Sequence, residues 1–364
     1  MLDATLQRLL REDCGRALGA LPDLAKQLSS HRIAVVGGTG FAGTWLAETV
    51  ALLNDDHGAR IQLDLFGRST AKWIDCHPHL VRPDINAVTL DARSPFELYR
   101  ETTLVLSAVG IADPRVWASE PQHVFQTTVY PLDHTLAAAN RLENLQRLVL
   151  ISSGLVAGSA SGTTVSERDV GMLDFTRVHN VYAEARRAAE SLAHGFASQY
   201  RLPLSTVRPF TFLGPYQHID APWALNNFIR DALGGHEIRI TGDGGTRRSY
   251  LYGSDVAAWL LRTAVAGQDG GVYNIGGAEA VTHAKAARLV SERIQPEPRV
   301  VFAGRLRDDQ RSHDFVPDLS HTQQALGVRP TMGLLGAIER TLLWHAVRAG
   351  QMRRLRIDGL QEVP

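Results

Sequence analysis

Between residues 35 and 43 the chain reads Val35-Val36-Gly37-Gly38-Thr39-Gly40-Phe41-Ala42-Gly43. An apolar run at 33–36 precedes the glycines and predicts a buried parallel strand, whereas the residues after them have helical spacing. Glycines here allow a tight turn, a close approach of backbone to a pyrophosphate, and close packing of the helix on the sheet. The unpaired N–H groups that begin the helix carry the positive end of its dipole and bind phosphates. The pattern predicts a dinucleotide site.

The composition describes a globular chain without a charge bias. Its 364 residues balance 38 Lys and Arg against 38 Asp and Glu, so the charge does not favour nucleic acid or an anionic membrane as a partner. Two cysteines argue against a disulfide framework and favour a reducing compartment. The first residues lack a signal-peptide pattern, and no apolar run approaches the ~20 residues of a membrane helix. We expect a soluble, cytoplasmic protein.

Short apolar segments alternate with helical ones from residue 31 to about 204, which is typical of a doubly wound parallel sheet. The predicted strands are 33–36, 61–66, 87–90, 103–108, 148–151 and 204–207, and the long predicted helices are 120–142 and 182–199. We expect an α/β fold with a Rossmann-type domain at 31–207, to which 249–276 returns. A smaller C-terminal α/β substrate lobe is expected at 208–248 and 277–350. Residues 1–30 are predicted to form an amphipathic helical extension that packs on the body or on a second subunit.

The end of the second predicted strand bears on which dinucleotide binds. NAD sites place an acidic residue there for the ribose 2′-hydroxyl, whereas a nearby arginine suits a 2′-phosphate. Gly67 takes the acidic position, Arg68 follows it, and Asp64 lies three residues too early. The pattern slightly favours NADP(H) over NAD(H), the alternative being that Arg68 is a solvated loop residue. Asp91, after the third strand, is either an acceptor for the adenine amino group or a plain turn aspartate.

Residues 75–79, Asp-Cys-His-Pro-His, resemble metal ligands only superficially. A proline lies inside the motif, and no second Cys/His pair follows at zinc-finger spacing. We predict a polar surface loop here and no metal site.

Two later segments carry residues suited to acid–base chemistry. Ser153 follows the fifth predicted strand, so its hydroxyl is expected at the edge where open α/β sheets bind ligands. Tyr182 begins a helix and Arg186 lies one turn later, where a cation favours the phenolate and lowers the pKa of the tyrosine. We expect Tyr182 to exchange a proton with a substrate oxygen while a hydride moves to or from nicotinamide, with Ser153 hydrogen-bonded to the same oxygen.

Together these features resemble the extended short-chain dehydrogenases/reductases, of the NAD-dependent epimerase/dehydratase kind that acts on nucleotide sugars. The resemblance covers about residues 31–345. Its main signatures are the glycine motif, the serine after strand five and the Tyr-x-x-x-basic step. Further similar segments are Arg208-Pro209-Phe210-Thr211-Phe212-Leu213-Gly214-Pro215, Gly242-Asp243-Gly244-Gly245-Thr246-Arg247-Arg248-Ser249-Tyr250-Leu251-Tyr252, 272–276 and 326–330.

The resemblance implies a set of site residues and a homodimer. The implied catalytic residues are Ser153, Tyr182 and Arg186. The implied cofactor contacts are Gly37, Thr39, Gly40, Phe41, Ala42, Gly43, Arg68, Asp91, Ala108, Tyr182, Arg186 and Pro209. The implied substrate contacts are Ser153, Thr211, Asn227 and Arg248, the last two at the nucleotide diphosphate, where an arginine fork suits phosphate oxygens. Many relatives dimerise through helices that correspond to 120–142 and 182–199, and alanine-rich faces here allow close helix approach.

Several positions depart from the family's pattern. Arg186 stands where the family has lysine, Thr211 replaces an asparagine, and Ala157 replaces a tyrosine. Gly154 and Leu155 stand where sugar dehydratases and uronate decarboxylases carry an acid. Because Leu155 cannot transfer a proton, we expect neither a dehydratase nor a decarboxylase.

Three functions fit these residues. The first is an NADPH-dependent reductase of a keto group on a nucleotide-linked sugar, C4 being the family's common site. The second is an epimerase that uses tightly bound NAD. The third is a catalytically inactive relative that binds a dinucleotide, which the changes at Arg186 and Ala157 suggest. The Gly67-Arg68 pair favours the reductase.

Overall fold

A computed structural model describes residues 3–158, 164–304 and 314–357. The strands are β1 Arg32–Val36, β2 Gln62–Gly67, β3 Ile85–Thr89, β4 Leu104–Ser107, β5 Arg147–Ile151, β6 Leu204–Pro209, β7 Thr211–Leu213, β8 Ile238–Ile240, β9 Arg247–Arg248, β10 Tyr250–Tyr252, β11 Gly271–Ile275, β12 Val281–Thr282 and β13 Val300–Phe302. The α-helices are α1 Ala4–Gly19, α2 Leu24–Gln27, α3 Phe41–His57, α4 Thr70–Cys76, α5 Pro114–Ser119, α6 Pro121–Ala139, α7 Val181–Tyr200, α8 Ala224–Leu233, α9 Gly253–Ala266, α10 His283–Ser291, α11 Ser320–Leu326 and α12 Leu334–Arg348.

The central sheet has seven parallel strands in the order β11-β6-β5-β4-β1-β2-β3. This is the order of a doubly wound dinucleotide-binding sheet, in which the strand order reverses between β1 and β4. The fold class predicted from the alternating segments is therefore confirmed. Each of the six predicted strands forms, with ends shifted by at most two residues.

Successive side chains of β1 point to opposite faces of the sheet, as the two-residue period of a strand requires. Ile33 and Val35 belong to the core that contains α3 and α9, whereas Ala34 and Val36 belong to the core that contains α6 and α7. Apolar side chains fill both faces because helices cover both. Because all seven strands are parallel, their C-terminal ends meet at one edge of the sheet.

Helix α1 packs on the body of its own chain. Its apolar stripe, Leu6, Leu9 and Leu10, is buried in the core that contains α3 and α9. Asp13 of the same helix is fully buried and accepts a hydrogen bond of 2.7 Å from the Tyr252 hydroxyl. Burial outweighs the nearby arginines and raises the pKa of Asp13 to about 6.

Smaller strand pairs follow the sixth strand of the sheet. β7 pairs with β10 and β8 with β13, both in parallel, and β9 pairs with β12 in antiparallel. Helices α8 and α10 pack together beside β8. Within the three described ranges, none of the helices combines the length and apolar character needed to cross a membrane.

Candidate active site

The glycine loop joins β1 to α3, with Gly40 as the residue that caps the helix. Gly37 has φ +84°, and a Cβ on it would lie 2.9 Å from the carbonyl carbon of Ala108. A Cβ on Gly43 would lie 1.9 Å from the Gly38 oxygen, so the helix rests directly on the loop. At Gly40 the nearest atom to such a Cβ is 3.9 Å away. The space before the helix is therefore open, as an anion bound at a helix N-terminus requires.

A cavity of about 200 Å³ lies beside this loop. It brings together the predicted cofactor residues Gly37, Thr39, Arg68, Asp91 and Ala108, which come from four neighbouring strand ends. Of the other predicted cofactor residues, Phe41 and Ala42 form the first turn of α3, and Pro209 ends β6 opposite Ile275. The cavity lies where the strand order reverses, which is the usual ligand position in open α/β sheets.

The end of the cavity formed by the residues after β2 and β3 carries more positive charge than the sequence indicated. Asp64 is fully buried and bound to Arg32 at 2.7 Å and Asn86 at 2.9 Å, so it supports the sheet. Asp91 accepts from the Arg93 guanidinium at 2.9 Å and from the Arg93 backbone N–H at 3.1 Å. These bonds lower the pKa of Asp91 to about 2, and Asp91 has the geometry of a turn aspartate. Arg93, which follows no recognised motif in the sequence, also lines the cavity, together with the exposed Arg68.

Ser153, Tyr182 and Arg186 are linked through the end of β5. The Ser153 hydroxyl oxygen accepts from the Leu155 N–H at 3.2 Å and caps a short 3₁₀ turn, which leaves the hydroxyl proton available to a substrate. Arg186 is 5% exposed and donates from Nη1 to the Ile151 carbonyl at 3.0 Å. Leu155 packs against the cluster that contains Tyr182. The helix that carries Tyr182 is therefore joined to the turn that carries Ser153.

Aromatic side chains surround Tyr182. The Trp117 ring is stacked on it, and Trp223, which precedes α8, packs against the same cluster. The Arg186 guanidinium carbon lies over the Tyr182 ring, 5.1 Å from the ring centroid. Neither tryptophan was identified from the sequence, because each lies more than 40 residues from Tyr182 and follows no local pattern.

Two buried polar atoms test whether this site suits a dinucleotide. Arg186 Nε and Ser152 Oγ have no hydrogen-bond partner among the described residues. Buried donors without partners are costly, and a ligand with hydroxyl or phosphate oxygens would satisfy them. Together with the open space before Gly40, they fit a bound NAD(P).

The predicted substrate residues other than Ser153 lie on β7, α8 and β9. Thr211 is paired with Tyr250, and Asn227 lies in the first turn of α8. Arg248 is paired with Val281, and its guanidinium carbon lies 5.7 Å from the Phe315 ring centroid. Burial lowers the pKa of Arg248 from its ordinary value.

His283, which no local sequence pattern marks, connects two of these elements. Its ring lies 6.3 Å from the Phe228 ring, and Phe228 follows Asn227 in α8. Burial and the positive charge of Arg248 lower the pKa of His283 to about 4. A neutral imidazole thus lies beside a partly buried arginine.

The Asp-Cys-His-Pro-His segment is joined to the body by hydrogen bonds. His79 Nε2 lies 2.7 Å from Glu48 Oε1, and His77 Nδ1 lies 2.7 Å from the Trp73 carbonyl. In the described part of the chain, no three His, Cys, Asp or Glu side chains come together as metal ligands.

Curated proteins similar to this chain include UDP-glucuronic acid decarboxylases. UDP-glucuronic acid decarboxylase 6 of Arabidopsis thaliana is 28% identical over 311 residues, which is 84% of this chain and 86% of the relative. UDP-glucuronic acid decarboxylase 1 of Xenopus tropicalis is 24% identical over 85% of this chain and 71% of its own length.

These relatives correct one expectation. The missing acid after Ser153 predicted that the chain is not a decarboxylase, and that exclusion is wrong because the similar curated proteins are decarboxylases. The physical reason lies in the reaction. A carboxylate on the carbon next to a ketone leaves with the ketone as electron acceptor, so its loss does not depend on an acid at Leu155.

Solved structures share the fold. UDP-glucose 4-epimerase of Thermotoga maritima, solved with UDP-glucose, has a TM-score of 0.74 at 19% identity and covers 87% of this chain and 99% of its own. The Bordetella bronchiseptica enzyme WbmF, solved with NADH, has a TM-score of 0.71 at 18% identity over 90% of this chain and 96% of its own. Because residues 33–276 match the sequence pattern of the NAD dependent epimerase/dehydratase family, this chain belongs to that family.

Proposed function

We propose that this protein is an oxidoreductase that acts on a nucleotide-linked sugar with NAD(P) bound on the glycine loop. The observation that carries the proposal is the position of Arg186. Its guanidinium is bonded to the last residue of β5 and lies against the Tyr182 ring. It thereby places a permanent positive charge between the acid–base candidate and the sheet edge that holds the cofactor cavity.

The reaction we propose is reduction of a keto group at a sugar carbon, C4 by analogy with the family. NADPH held on the glycine loop would supply the hydride for the carbonyl carbon and be left as NADP⁺. Tyr182 donates its hydroxyl proton to the carbonyl oxygen, and Ser153 donates a hydrogen bond to the same oxygen. The positive charge of Arg186 stabilises the phenolate that remains on Tyr182. The product is an alcohol, and Tyr182 regains its proton from solvent.

The nucleotide is proposed to bind along α8. Trp223 at the start of this helix is near Tyr182, and Phe228 contacts His283 beside Arg248. Trp223 and Phe228 are five residues apart, which corresponds to about 7.5 Å along a helix. This length is of the order of the distance between the sugar ring and the farther phosphate of its nucleoside diphosphate. Arg248 and Asn227 supply a charged donor and an amide for the diphosphate oxygens. The names of the similar proteins favour uridine as the base.

The preference for NADP(H) is proposed from Arg68 and Arg93. Both line the cavity beside Gly67, and position 67 itself has no carboxylate that could accept a hydrogen bond from the ribose 2′-hydroxyl. An arginine at this place suits a 2′-phosphate.

Oxidative decarboxylation of a UDP-uronate is a second candidate, and the curated relatives favour it. In that reaction Tyr182 would remove the C4 hydroxyl proton while C4 gives its hydride to NAD⁺, and the resulting keto acid would lose carbon dioxide. Epimerisation shares this first step and returns the hydride to the opposite face of C4. In all three reactions Ser153 is hydrogen-bonded to the reacting oxygen and Tyr182 exchanges a proton with it, as the acid in the reduction and as the base in the oxidation step of the other two.

One set of assays distinguishes them. Native mass spectrometry of gently purified protein identifies any retained cofactor and nucleotide sugar. The protein is then incubated with a UDP-4-keto sugar and NADPH, with UDP-glucuronate and NAD⁺, or with UDP-glucose, and the products are identified by mass spectrometry and NMR. We expect alcohol formation in the first mixture, and Tyr182→Phe should lower turnover roughly 10²–10⁴-fold. Carbon dioxide or an epimer instead selects an alternative, and dinucleotide binding without turnover in any mixture indicates an inactive relative.

A further inference from the structure

Gly110 lies directly against the Arg186 guanidinium. A Cβ placed on Gly110 would be 2.0 Å from Arg186 Nη2 and 2.9 Å from Cζ. Real Cβ atoms do not approach other heavy atoms this closely. The guanidinium therefore occupies the volume that a side chain at position 110 would otherwise fill.

The guanidinium has little freedom to move away. Arg186 is 5% exposed, and its Nη1 is held by the Ile151 carbonyl at 3.0 Å. Its Cζ lies 5.1 Å from the centroid of the Tyr182 ring, which is itself 5% exposed. A methyl group at 110 would therefore break the bond to Ile151 or push the charge toward Tyr182, since protein interiors are close-packed.

We infer that Gly110 and Arg186 form a matched pair, in which the absent side chain at 110 makes room for a guanidinium where the family carries an ammonium. Arginine is wider and planar, so replacing lysine by arginine requires added volume at the head group. Gly110 is then a positioning residue that acts through Arg186. This inference rests on the proposed role of Arg186 beside Tyr182 and extends that proposal to the loop after β4.

A double-mutant cycle tests the pair. The four proteins are the wild type, Gly110→Ala, Arg186→Lys and the double variant. The Kd values for NADPH and NADH, the kcat and KM values and the free energy of unfolding are measured for each. Gly110 has φ +154°, a conformation that alanine adopts only with strain, but this cost is common to both backgrounds and cancels in the cycle.

We expect Gly110→Ala to weaken dinucleotide binding and to lower kcat by about tenfold or more in the Arg186 background. In the Arg186→Lys background, where the head group is smaller, Gly110→Ala should change the dinucleotide Kd and kcat by less than about threefold. Gly270→Ala is the matched control, because Gly270 has φ +74° and no atom within 4 Å of the added Cβ. It should lower stability through strain alone and leave the dinucleotide Kd unchanged.

Equal effects of Gly110→Ala in the two backgrounds, on every measured quantity, would overturn the inference and leave Gly110 with a backbone role only. Failure of the proposed function gives a different result. In that case no variant turns over a nucleotide sugar, yet Gly110→Ala still changes the dinucleotide Kd more in the Arg186 background than in the Arg186→Lys background. This difference is the coupling between the two positions. If the dinucleotide also fails to bind, the coupling must appear in the free energy of unfolding, and its absence there counts against the pair.

Discussion

The Tyr182 ring lies parallel to the Trp117 indole, with the ring centroids 4.4 Å apart and the planes at 6°. Trp117 comes from α5, after β4, and its Nε1 donates to the Ile111 carbonyl at 2.6 Å. Tyr182 comes from α7, after β5. The stack therefore joins two elements that follow neighbouring strands, and it fixes the plane of the ring that we propose as the proton donor.

Removing the indole should affect turnover more than binding. Stacked aromatic pairs contribute about 0.5–1.5 kcal/mol beyond their buried area, which corresponds to roughly 2- to 12-fold in a rate or an equilibrium. We expect Trp117→Ala to lower kcat by about tenfold, with KM for the sugar changed less, and to lower the free energy of unfolding by about 3 kcal/mol. Trp117→Phe keeps a ring and should retain kcat within about threefold. Steady-state kinetics with urea unfolding would refute this if the alanine variant kept the wild-type kcat.

Arg68 should determine the choice of dinucleotide. A charge-assisted hydrogen bond contributes about 1.5–3 kcal/mol, so Arg68→Ala should raise the Kd for NADPH by roughly tenfold or more. The Kd for NADH should stay within about twofold. Calorimetric titration of both dinucleotides checks this, and a preference for NADH in the wild type that survives Arg68→Ala would contradict it.

Arg93 offers a comparison with a matched control. Arg93→Ala should also weaken NADPH binding, but less than Arg68→Ala, because Asp91 already shares its charge. Arg115 is paired with Asp113 in the same two-residue arrangement, yet it lies outside the cavity. Arg115→Ala should therefore leave both Kd values unchanged.

The sheet was predictable from the sequence for local reasons. Its strands are short β-branched and leucine-rich runs that are apolar on both faces, and the glycine loop has a fixed spacing between strand and helix. The position of Ser153 followed from the same rules, because a residue after a strand lies at the sheet edge, and Tyr182 was marked by the start of a helix with Arg186 one turn later. In each case the information lies within about ten residues of the feature.

The rest of the site depends on contacts between distant segments. Gly110 meets Arg186 across 76 positions, and His283 meets Phe228 across 55. No periodicity marks such pairs. The wrong exclusion of a decarboxylase had a different cause, since it treated one missing acid as necessary to a reaction whose electron acceptor is the ketone.

The dimer contact through α6 and α7 remains a prediction, and α6 exposes large apolar side chains that such a contact would cover. The two helices pack against each other, and α6 exposes Phe125 and Tyr130, at 39% and 50%. We expect light scattering to show a dimer at micromolar concentration. Phe125→Glu combined with Tyr130→Glu should give a monomer, because unpaired charges in an apolar contact are costly.

Met172 provides the control for this surface, since it is 85% exposed and lies on the segment before α7. Met172→Glu should leave the dimer intact. A monomeric wild type would contradict the predicted dimer. Dissociation caused by Met172→Glu alone would indicate that the contact lies on the segment before α7.

Acid should weaken the fold through His283. Its pKa is about 4 in the folded chain, because of burial and the charge of Arg248, and 6.5 is its ordinary value. Between these values the unfolded chain binds more protons, so the free energy of unfolding is highest above pH 6.5 and falls as the pH is lowered toward 4. His283→Gln removes this proton uptake. Partial exposure screens the effect, so we expect the wild type to lose on the order of 1 to 2 kcal/mol more than the variant between pH 7 and pH 4.5.

Other groups titrate in the same range but cancel in the comparison. His345, with a pKa of about 4, acts in the same direction as His283. Asp13, with a pKa raised to about 6, stabilises the fold below pH 4 and loses this contribution as the pH rises through 6, which is the opposite sign. Both groups are present in the wild type and in His283→Gln. Urea unfolding of the two proteins at pH 4.5, 5.5 and 7 therefore isolates His283. Parallel curves for the two proteins would mean that the imidazole binds protons equally in the folded and unfolded chains, and that neither burial nor Arg248 lowers its pKa.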